Sequence, residues 1–435
     1  MAPQPLEGVR VLDLGVVLAG PWGAMLLADL GAEVIRVEST QHFATMTRGA
    51  VPFPSAAALR DQPPISGGYP DREPGERPWN RFPWFNATAR NKLGMTVDLK
   101  QPSGQQVLCR LAAISDVLVT NLAPGTLDEL GVGYETLSTV NERLVYVDAT
   151  SFGSTGPYQR FRALGTQMEA FAGHDLLRHY PDLDVTSNTW AVTADAAGGL
   201  AIALASLMGL LARERRGKGQ YVDISMVENF VGLIGPSVLE WTVNKRVPPS
   251  IGNRDYAAVQ GCYPCAGEDR WLVLTVCDDG AWLGLCRAAG NPTWACDPAL
   301  ADAASRFQRH DEVDALIAAW TRGLDRDKAV ARLRAEGVPA GPVLGDDEAF
   351  LDEHLAARGF FIEMTQADTG THRYPGPPYR FREGRFRLRY PPVRLGEHNE
   401  YVYRQLLGCS EEEYVRLEAD GHIGTEYASG VTGRD

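Results

Sequence analysis

The residue best placed to do chemistry is Asp195, a carboxylate at the head of an apolar run. The stretch 188–211 reads NTWAVTADAAGGLAIALASLMGLL, and Asp195 is its only charged residue. An Asp at a helix start can accept hydrogen bonds from the unpaired N–H groups of the first turn, which needs no chemistry. The small residues 196–199 that follow also leave room for a ligand to reach a rigidly held nucleophile. Taken alone, the pattern favours the cap, and both interpretations stay open.

The elements before Asp195 alternate between strand and helix. The opening VRVLDLGVVLAGPWGAMLLADLGAEVIRVE predicts a buried strand over 9–14, a helix over about 21–30 and a strand over 34–38. The segments DVLVTN and LVYVDATSFG then predict further strands ahead of the long helix that follows Asp195. This alternation indicates a Rossmann-like, doubly wound α/β domain. The glycines fall at Gly15, Gly20 and Gly23, which is not a GxGxxG pattern, so an NAD site is disfavoured.

The 435-residue chain is too long for one compact core. The sequence predicts a large α/β domain over 1–225, completed by the C-terminal part 340–435. A linker is expected over 226–240 and a smaller α+β domain over 241–339, where the texture changes to segments such as GCYPCAGEDRWLVLTV. The large domain is therefore expected to carry Asp195.

An irregular excursion rich in proline and aromatic residues runs from 43 to 85. Its composition is typical of a loop rather than a sheet. The segment is either a surface insertion or a flap over a pocket. Its aromatic side chains would be costly to expose, so the flap fits the composition as well as the surface insertion does. These are Trp79, Phe82, Trp84 and Phe85.

Composition excludes several classes of function. The chain has 55 acidic and 42 basic residues and a formal charge of −13, which argues against nucleic acid or an anionic membrane as a partner. Seven cysteines form no dense framework, and no second ligand pair follows Cys262 and Cys265, so no metal site is expected. The first residues lack the pattern of a signal peptide, so a cytoplasmic location is expected. The run 200–211 is shorter than the ~20 residues of a membrane span and predicts a buried helix.

Several blocks in order carry a family resemblance. They include LEGVRVLDLGVVLAGPWGAMLLADLGAEVIRVE, RNKLGMTVDLKQPSG, SDVLVTNLAPGTLDELGVGYETL, SFGSTGPY, RRGKGQYVDISMVEN, GNRDYAAVQGCYPC and LGEHN. The chain resembles the family III CoA-transferases, the group of formyl-CoA transferase and carnitine CoA-transferase, and the related alpha-methylacyl-CoA racemases. The resemblance implies the family III CoA-transferase fold and an interlocked homodimer. It also implies acyl-CoA and carboxylic acid substrates, with coenzyme A carried as the acyl-CoA.

The resemblance assigns the catalytic aspartate to Asp195. Such a carboxylate attacks the donor thioester, forms a mixed anhydride, and is then held as a CoA thioester until the acceptor acid arrives. Because only Asp or Glu can form these intermediates, the resemblance favours chemistry over capping. The positions that it implies for binding CoA are Leu18, Ala19, Arg36, Arg90, Asn91, Lys92 and Asn121.

The chain departs from the family pattern after GPY. Relatives often carry a carboxylate there and the racemases a His-Asp pair, whereas this chain has Leu164 and Gly165. Racemisation needs two proton-handling groups, so the missing histidine argues against it. Glu169 could substitute in part for the missing acid, or could be a polar residue at a helix edge. The bases of the family's CoA cradle are also fewer here, with Leu93 and Glu129 where relatives are often basic.

Three functions therefore stand as hypotheses. The leading one is transfer of CoA from an acyl-CoA to a carboxylic acid through an aspartyl anhydride and an aspartyl thioester. The second is a CoA-binding subunit of a heteromeric transferase of the benzylsuccinate type, with a second homologous subunit. The third is an acyl-CoA racemase or epimerase. If the excursion over 43–85 covers the site, its aromatic residues suggest a bulky or aromatic acyl group.

Overall fold

A computed structural model describes residues 4–63, 67–189, 191–255, 257–382 and 388–432. Its strands are β1 Arg10–Asp13, β2 Glu33–Glu38, β3 Lys92–Thr96, β4 Val117–Thr120, β5 Val145–Thr150, β6 Gln220–Ser225, β7 Val259–Pro264, β8 Trp271–Val276, β9 Ala340–Pro342, β10 Phe361–Gln366 and β11 Gly370–Pro375.

The α-helices are α1 Ala19–Asp29, α2 Ala56–Arg60, α3 Pro78–Arg81, α4 Pro83–Thr88, α5 Pro102–Ala113, α6 Thr126–Glu129, α7 Tyr134–Val140, α8 Gly165–Ala172, α9 His174–Arg178, α10 Thr193–Arg216, α11 Met226–Val231, α12 Gly235–Asn244, α13 Asp279–Ala288, α14 Ala303–Gln308, α15 His310–Thr321, α16 Arg326–Ala335, α17 Asp346–Phe350, α18 Glu353–Ala357 and α19 Glu411–Ala419. A π-helical turn spans Tyr401–Leu406.

A parallel sheet of six strands in the order β3-β2-β1-β4-β5-β6 forms the centre of the large unit. Its central strands are buried on both faces, since Val11 packs into the core on one side and Leu12 into the core on the other. A parallel sheet needs this double cover because its crossover helices lie on both faces. The strand order turns at β1 and β4, so the predicted doubly wound α/β fold is confirmed.

Small residues bring α1 and α10 unusually close on one face of the sheet. A Cβ added at Gly23 would lie 2.5 Å from a methyl carbon of Ile202, and one at Gly199 would lie 3.0 Å from Cβ of Trp22. A larger side chain at Gly23 would have to displace Ile202, whereas at Gly199 the neighbouring atoms would have to move by a few tenths of an ångström. These glycines serve helix–helix packing, and they fix the two helices whose N-termini lie at the same edge of the sheet.

The described residues divide into two compact units. The first takes the described residues of Met1–Gly173, Trp190–Val238 and Gly359–Asp435, and the second those of His174–Thr189 and Leu239–Arg358. The second unit contains the antiparallel sheet β7-β8-β9. Its core includes Leu272, Trp282, Ile317 and Leu333 from the sheet and from α13, α15 and α16. This is the α+β architecture expected for the smaller domain.

The boundaries of the units differ from those drawn on the sequence. The expected linker 226–240 begins with α11, whose Met226, Val227 and Phe230 are buried in the core of the first unit. Residues 340–358 belong to the second unit because β9 pairs with β8. Residues 174–189 belong there too, where the hydroxyl of Tyr180 accepts a hydrogen bond from Asn253 (3.0 Å).

The prediction that 200–211 forms a buried helix is only half right. The run lies in α10, and Ile202 and Leu210 are buried in the core. The opposite side of the helix carries an apolar stripe of four residues, each 55% to 59% exposed: Leu200, Leu204, Met208 and Leu211. Among the described helices α10 is the one long and apolar enough to cross a membrane by length and composition. Its other side is core of the first unit.

Candidate active site

A cavity of about 400 Å³ opens at the carboxyl edge of the parallel sheet. Ligands in doubly wound folds bind at this edge, where the order of strands reverses. Its wall comes from the turn after β1, the loop after β4, the end of β5 and its following loop, the start of α10, and four residues of the excursion over 43–85. These four are Met46, Ala50, Phe82 and Trp84. The excursion therefore contributes part of the cavity wall, whereas Trp79 and Phe85 are buried in neighbouring cores.

Asp195 lies on the cavity wall as the third residue of α10. Its half-buried carboxylate makes no hydrogen bond to another residue in the described part of the chain. The first turn of the helix is satisfied differently, because the buried Glu169 accepts a hydrogen bond from the N–H of Ala194 (3.0 Å). Glu169 thus performs the capping role that the sequence left open for Asp195, and the Asp195 carboxylate is left facing the cavity.

The surroundings of Asp195 disfavour its charged form. Burial, and then the negative charge of Glu169, raise the pKa of Asp195 to about 6. The group is still ionised at neutral pH, but its anion is poorly solvated. A carboxylate held in this way is a stronger nucleophile than one in water. Glu169 does not itself line the cavity. It influences the site through its charge, which helps to raise the pKa of Asp195, and through its hydrogen bond with Ala194.

Gly165, the first residue of α8, gives the Asp195 carboxylate its space. A Cβ added at Gly165 would lie 2.1 Å from Oδ2 of Asp195, which no real side chain permits. The space in which a side chain at position 165 would stand is therefore occupied by the Asp195 carboxylate. No histidine occurs among the described residues of the wall, and Asp195 is their one carboxylate.

Two of the positions expected to bind CoA, Leu18 and Asn121, lie on the wall with Asp195. The Asn121 amide holds the turn after β1, since it accepts from the Val16 N–H (2.7 Å) and donates to the Val16 carbonyl (3.1 Å). The next residue, Val17, has φ of +57°, a strained conformation for a β-branched residue. Its N–H donates to the hydroxyl of Thr47 (2.8 Å). The turn is thus clamped from two sides.

Arg36 and Lys92 lie away from the wall, in a buried cluster beneath this turn. The Lys92 ammonium donates to Asp13 (2.8 Å) and to the Pro21 carbonyl (2.8 Å), and Arg36 pairs with Asp13 (3.2 Å) and donates to the Gly15 carbonyl. Burial alone would raise the pKa of Asp13, but the charges of Lys92 and Arg36 outweigh it and lower that pKa. The two cations therefore hold the ends of β1, β2 and β3 together.

The other three expected positions are also buried. Arg90 pairs with Asp29 (2.6 Å), and the Asn91 amide donates to the Ala28 carbonyl (3.0 Å). Ala19 begins α1 and packs in the core. None of Ala19, Arg36, Arg90, Asn91 and Lys92 lines the cavity. Their contact with CoA stays a prediction from the family resemblance.

The sequence did not single out several residues of the wall. Met46, Phe161, Arg162 and Met226 come from three separate segments that meet only in the fold. The one local signal for these wall residues was the arginine pair in GPYQRFR, because it follows the SFGSTGPY block of the family resemblance. No spacing rule distinguishes Arg162, which lines the cavity, from Arg160, which does not.

Comparison with known proteins identifies the family. The sequence profile described as CoA-transferase family III matches residues 6–399. The chain belongs to CoA-transferase family III. A succinyl-CoA–D-citramalate CoA-transferase of Chloroflexus aurantiacus is 33% identical over 419 residues, which cover 96% of this chain and 98% of that protein. The alpha subunit of a succinyl-CoA–L-malate CoA-transferase of the same species is 28% identical, covering 95% and 92%.

A solved structure has a similar fold. The crystal structure of a CAIB/BAIF family protein from Brucella suis superposes with a TM-score of 0.80 at 28% identity, covering 93% of this chain and all of the other. The fold class expected from the sequence is therefore that of the family. The names of the relatives support CoA-transferase activity, and with it CoA thioesters as substrates.

We expect Gly165→Ala to remove most CoA-transferase activity without unfolding the protein. The added methyl would force the Asp195 carboxylate from its place, because the two groups would otherwise be 2.1 Å apart. The rate of CoA exchange should fall at least about tenfold, since small displacements of a reacting group are costly. Gly232→Ala is the matched control, because a Cβ there meets nothing within 4 Å. Equal exchange rates for the two variants, measured with circular dichroism spectra, would contradict this account of Gly165.

Proposed function

We propose that this family III CoA-transferase moves CoA from an acyl-CoA thioester to a carboxylic acid, with Asp195 as the nucleophile. The observation that carries the proposal is the Asp195 carboxylate itself. It is ionised at neutral pH, free of hydrogen bonds within the described chain, and directed at a cavity on the carboxyl edge of the sheet. A carboxylate kept only for capping would instead accept from the first turn, as Glu169 does here.

The proposed reaction proceeds through two covalent enzyme species. An Asp195 oxygen attacks the thioester carbonyl, the carbon–sulfur bond breaks, and CoA leaves as a thiolate, so that Asp195 and the acyl group are joined as a mixed anhydride. The thiolate then attacks the Asp195 carbonyl carbon and releases the donor acid as a carboxylate. The acceptor carboxylate reverses these steps with its own oxygen, and the Asp195 carboxylate is regenerated. The first turn of α10 contributes a favourable helix dipole to each anion formed nearby.

The walls of the cavity support an acyl group with an apolar body. Met46, Phe82, Trp84 and Phe161 surround the space, and apolar side chains predominate in the rest of the described wall. Such a surface gains free energy by covering alkyl or aromatic groups. A donor panel should therefore include aromatic acyl-CoAs beside the short and dicarboxylic ones that the names of the relatives suggest.

The first prediction of this mechanism is a covalent adduct on Asp195. The protein is mixed with acetyl-, succinyl-, butyryl- and phenylacetyl-CoA, and intact-protein and peptide mass spectra are recorded with and without hydroxylamine. At least one donor should leave CoA as a hydroxylamine-labile thioester on the peptide that contains Asp195. Asp195→Ala and Asp195→Asn should give no adduct. CoA exchange that persists in either variant would sink the proposed mechanism.

A second prediction concerns the pH dependence of adduct formation. The rate should follow the ionised fraction of Asp195 and fall on the acid side with a midpoint at about pH 6. Glu169→Gln keeps an oxygen for the Ala194 N–H but removes the charge that helps to raise the pKa of Asp195, so the midpoint should move to lower pH. The exposed Glu142→Gln is the control. An unmoved midpoint in Glu169→Gln would refute the electrostatic coupling.

The partner of this chain is proposed to be a second copy. The stripe Leu200, Leu204, Met208 and Leu211 follows one face of α10, and exposed contiguous apolar surface marks an interaction site. The family resemblance favours an interlocked homodimer. A heteromer with a homologous subunit is the second candidate, because one relative is itself named as an alpha subunit. The cavity favours the racemase least, since its described wall offers one carboxylate and no histidine.

Light scattering on the purified protein tests this assembly. In the absence of any other protein, the molar mass measured by light scattering should be twice that of one chain. Leu204→Arg together with Met208→Arg should give single copies that still fold, because both side chains are exposed within one chain. A monomeric wild-type protein that gains mass and activity only with a second homologous chain would establish the heteromer instead.

A further inference from the structure

The described wall of the active cavity carries one cationic side chain, Arg162. It makes no hydrogen bond or ion pair with any other residue that the structure describes. The buried Arg36, Arg90 and Lys92 each have an acidic partner instead. Arg162 is thus the positive group on this wall that is available to a ligand.

The backbone around Arg162 is held in place. The Ser151 hydroxyl donates to the Ala163 carbonyl (3.0 Å) and accepts from the Ala163 N–H (3.1 Å), directly beside Arg162. Gln167 accepts a hydrogen bond from the Leu164 N–H (2.6 Å). Hydrogen bonds therefore hold the backbone at Ala163 and Leu164, the two residues after Arg162. The chain then continues directly into α8.

This anchoring keeps Arg162 within reach of the reacting centre. Gly165, which contacts the Asp195 carboxylate, follows three residues later, and three residues span at most about 11 Å. An arginine side chain adds several ångströms of reach. A carboxylate that reacts at Asp195 can therefore meet the guanidinium of Arg162.

The proposed reaction creates a need for such a cation. When the Asp195 carboxylate becomes a neutral thioester, its negative charge passes to the carboxylate of the substrate. That anion occupies a largely apolar cavity beside the buried Glu169, which is unfavourable without a countercharge. The acceptor acid enters under the same conditions. One cation near Asp195 can balance the negative charge at both stages.

We propose that Arg162 binds the carboxylate of the substrate acid while Asp195 carries CoA, and so recognises both the released donor acid and the incoming acceptor. A guanidinium suits this task because it pairs with a carboxylate through two parallel hydrogen bonds. The inference rests on the proposed function, and it adds a binding residue for the acid rather than for CoA.

The experiment compares Arg162→Gln with Arg160→Gln, its matched control two residues earlier on the same loop. Exchange is measured with the best acyl-CoA donor and with acetate, succinate, butyrate and phenylacetate as acceptors, and the KM of donor and acid are determined separately. In Arg162→Gln the KM of the acid should rise about tenfold to a hundredfold, as expected for losing a charged hydrogen bond. The KM of the acyl-CoA should stay close to wild type. The Asp195 adduct should still form, but more slowly, because its formation releases the donor carboxylate beside Arg162. Arg162→Lys should restore part of the loss.

Two results would overturn the inference while leaving the proposed function intact. A rise in the KM of the acyl-CoA alone would show that Arg162 binds the CoA phosphates. Kinetics equal to those of Arg160→Gln would make Arg162 a solvated surface charge. Absence of exchange and of any Asp195 adduct in the wild-type protein is a different outcome, since it removes the proposed function and this inference with it.

Discussion

The close contact between α1 and α10 is the constraint on which the active cavity depends. Glycines at 23 and 199 let the two helices approach until Ile202 and Trp22 fill the space that a side chain would need. Because both helices begin at the carboxyl edge of the sheet, this contact sets how far Leu18 lies from Asp195. A larger residue at Gly23 would push the helices apart and widen the cavity between their N-termini. The packing of the core therefore also sets the geometry of the active cavity.

Charge is distributed in two layers around this site. Beneath the turn after β1, Asp13 is held between Arg36 and Lys92, and all three side chains are buried. Breaking such a cluster by removing one partner leaves an uncompensated charge in a region of low dielectric constant, which is strongly destabilising. On the described wall of the cavity itself, Asp195 is the one acidic residue and Arg162 the one basic residue. The buried cluster of Asp13, Arg36 and Lys92 keeps the turn rigid, and the charged groups at the cavity are left available for substrates.

The division of work between Asp195 and Glu169 resolves the ambiguity of the sequence. A helix needs its first N–H groups satisfied, and a nucleophile needs its oxygens free. Had Asp195 served as the cap, its oxygens would have been occupied by the backbone. Glu169 reaches the N–H of Ala194 from a different helix and so separates the two requirements. Its charge then has a second effect, because it helps to hold the pKa of Asp195 near 6.

Much of the fold could be predicted because its signals are local. The apolar runs that became β1, β2, β4 and β5 and the helix after Asp195 follow from hydrophobic periodicity, and the ordered motifs indicated the family. Strand β6 was not predicted, because half-buried strands give weaker patterns. The domain boundaries depended on pairings between distant segments, such as β9 with β8, which no local pattern reveals.

For the site, the sequence by itself determined that Asp195 heads a helix among small residues and that the chain resembles CoA-transferases. Only the tertiary structure decided which of the candidate residues face the cavity. Arg36, Arg90 and Lys92 look like ligands for phosphate in the sequence, yet each is paired with a buried acid from another element. Arg162 looks like a surface charge in the sequence, and it is exposed in the structure, but it also lies on the wall with Asp195. The physical reason is that charge pairing and burial depend on contacts between residues far apart in the chain, whereas helices and strands depend on their neighbours.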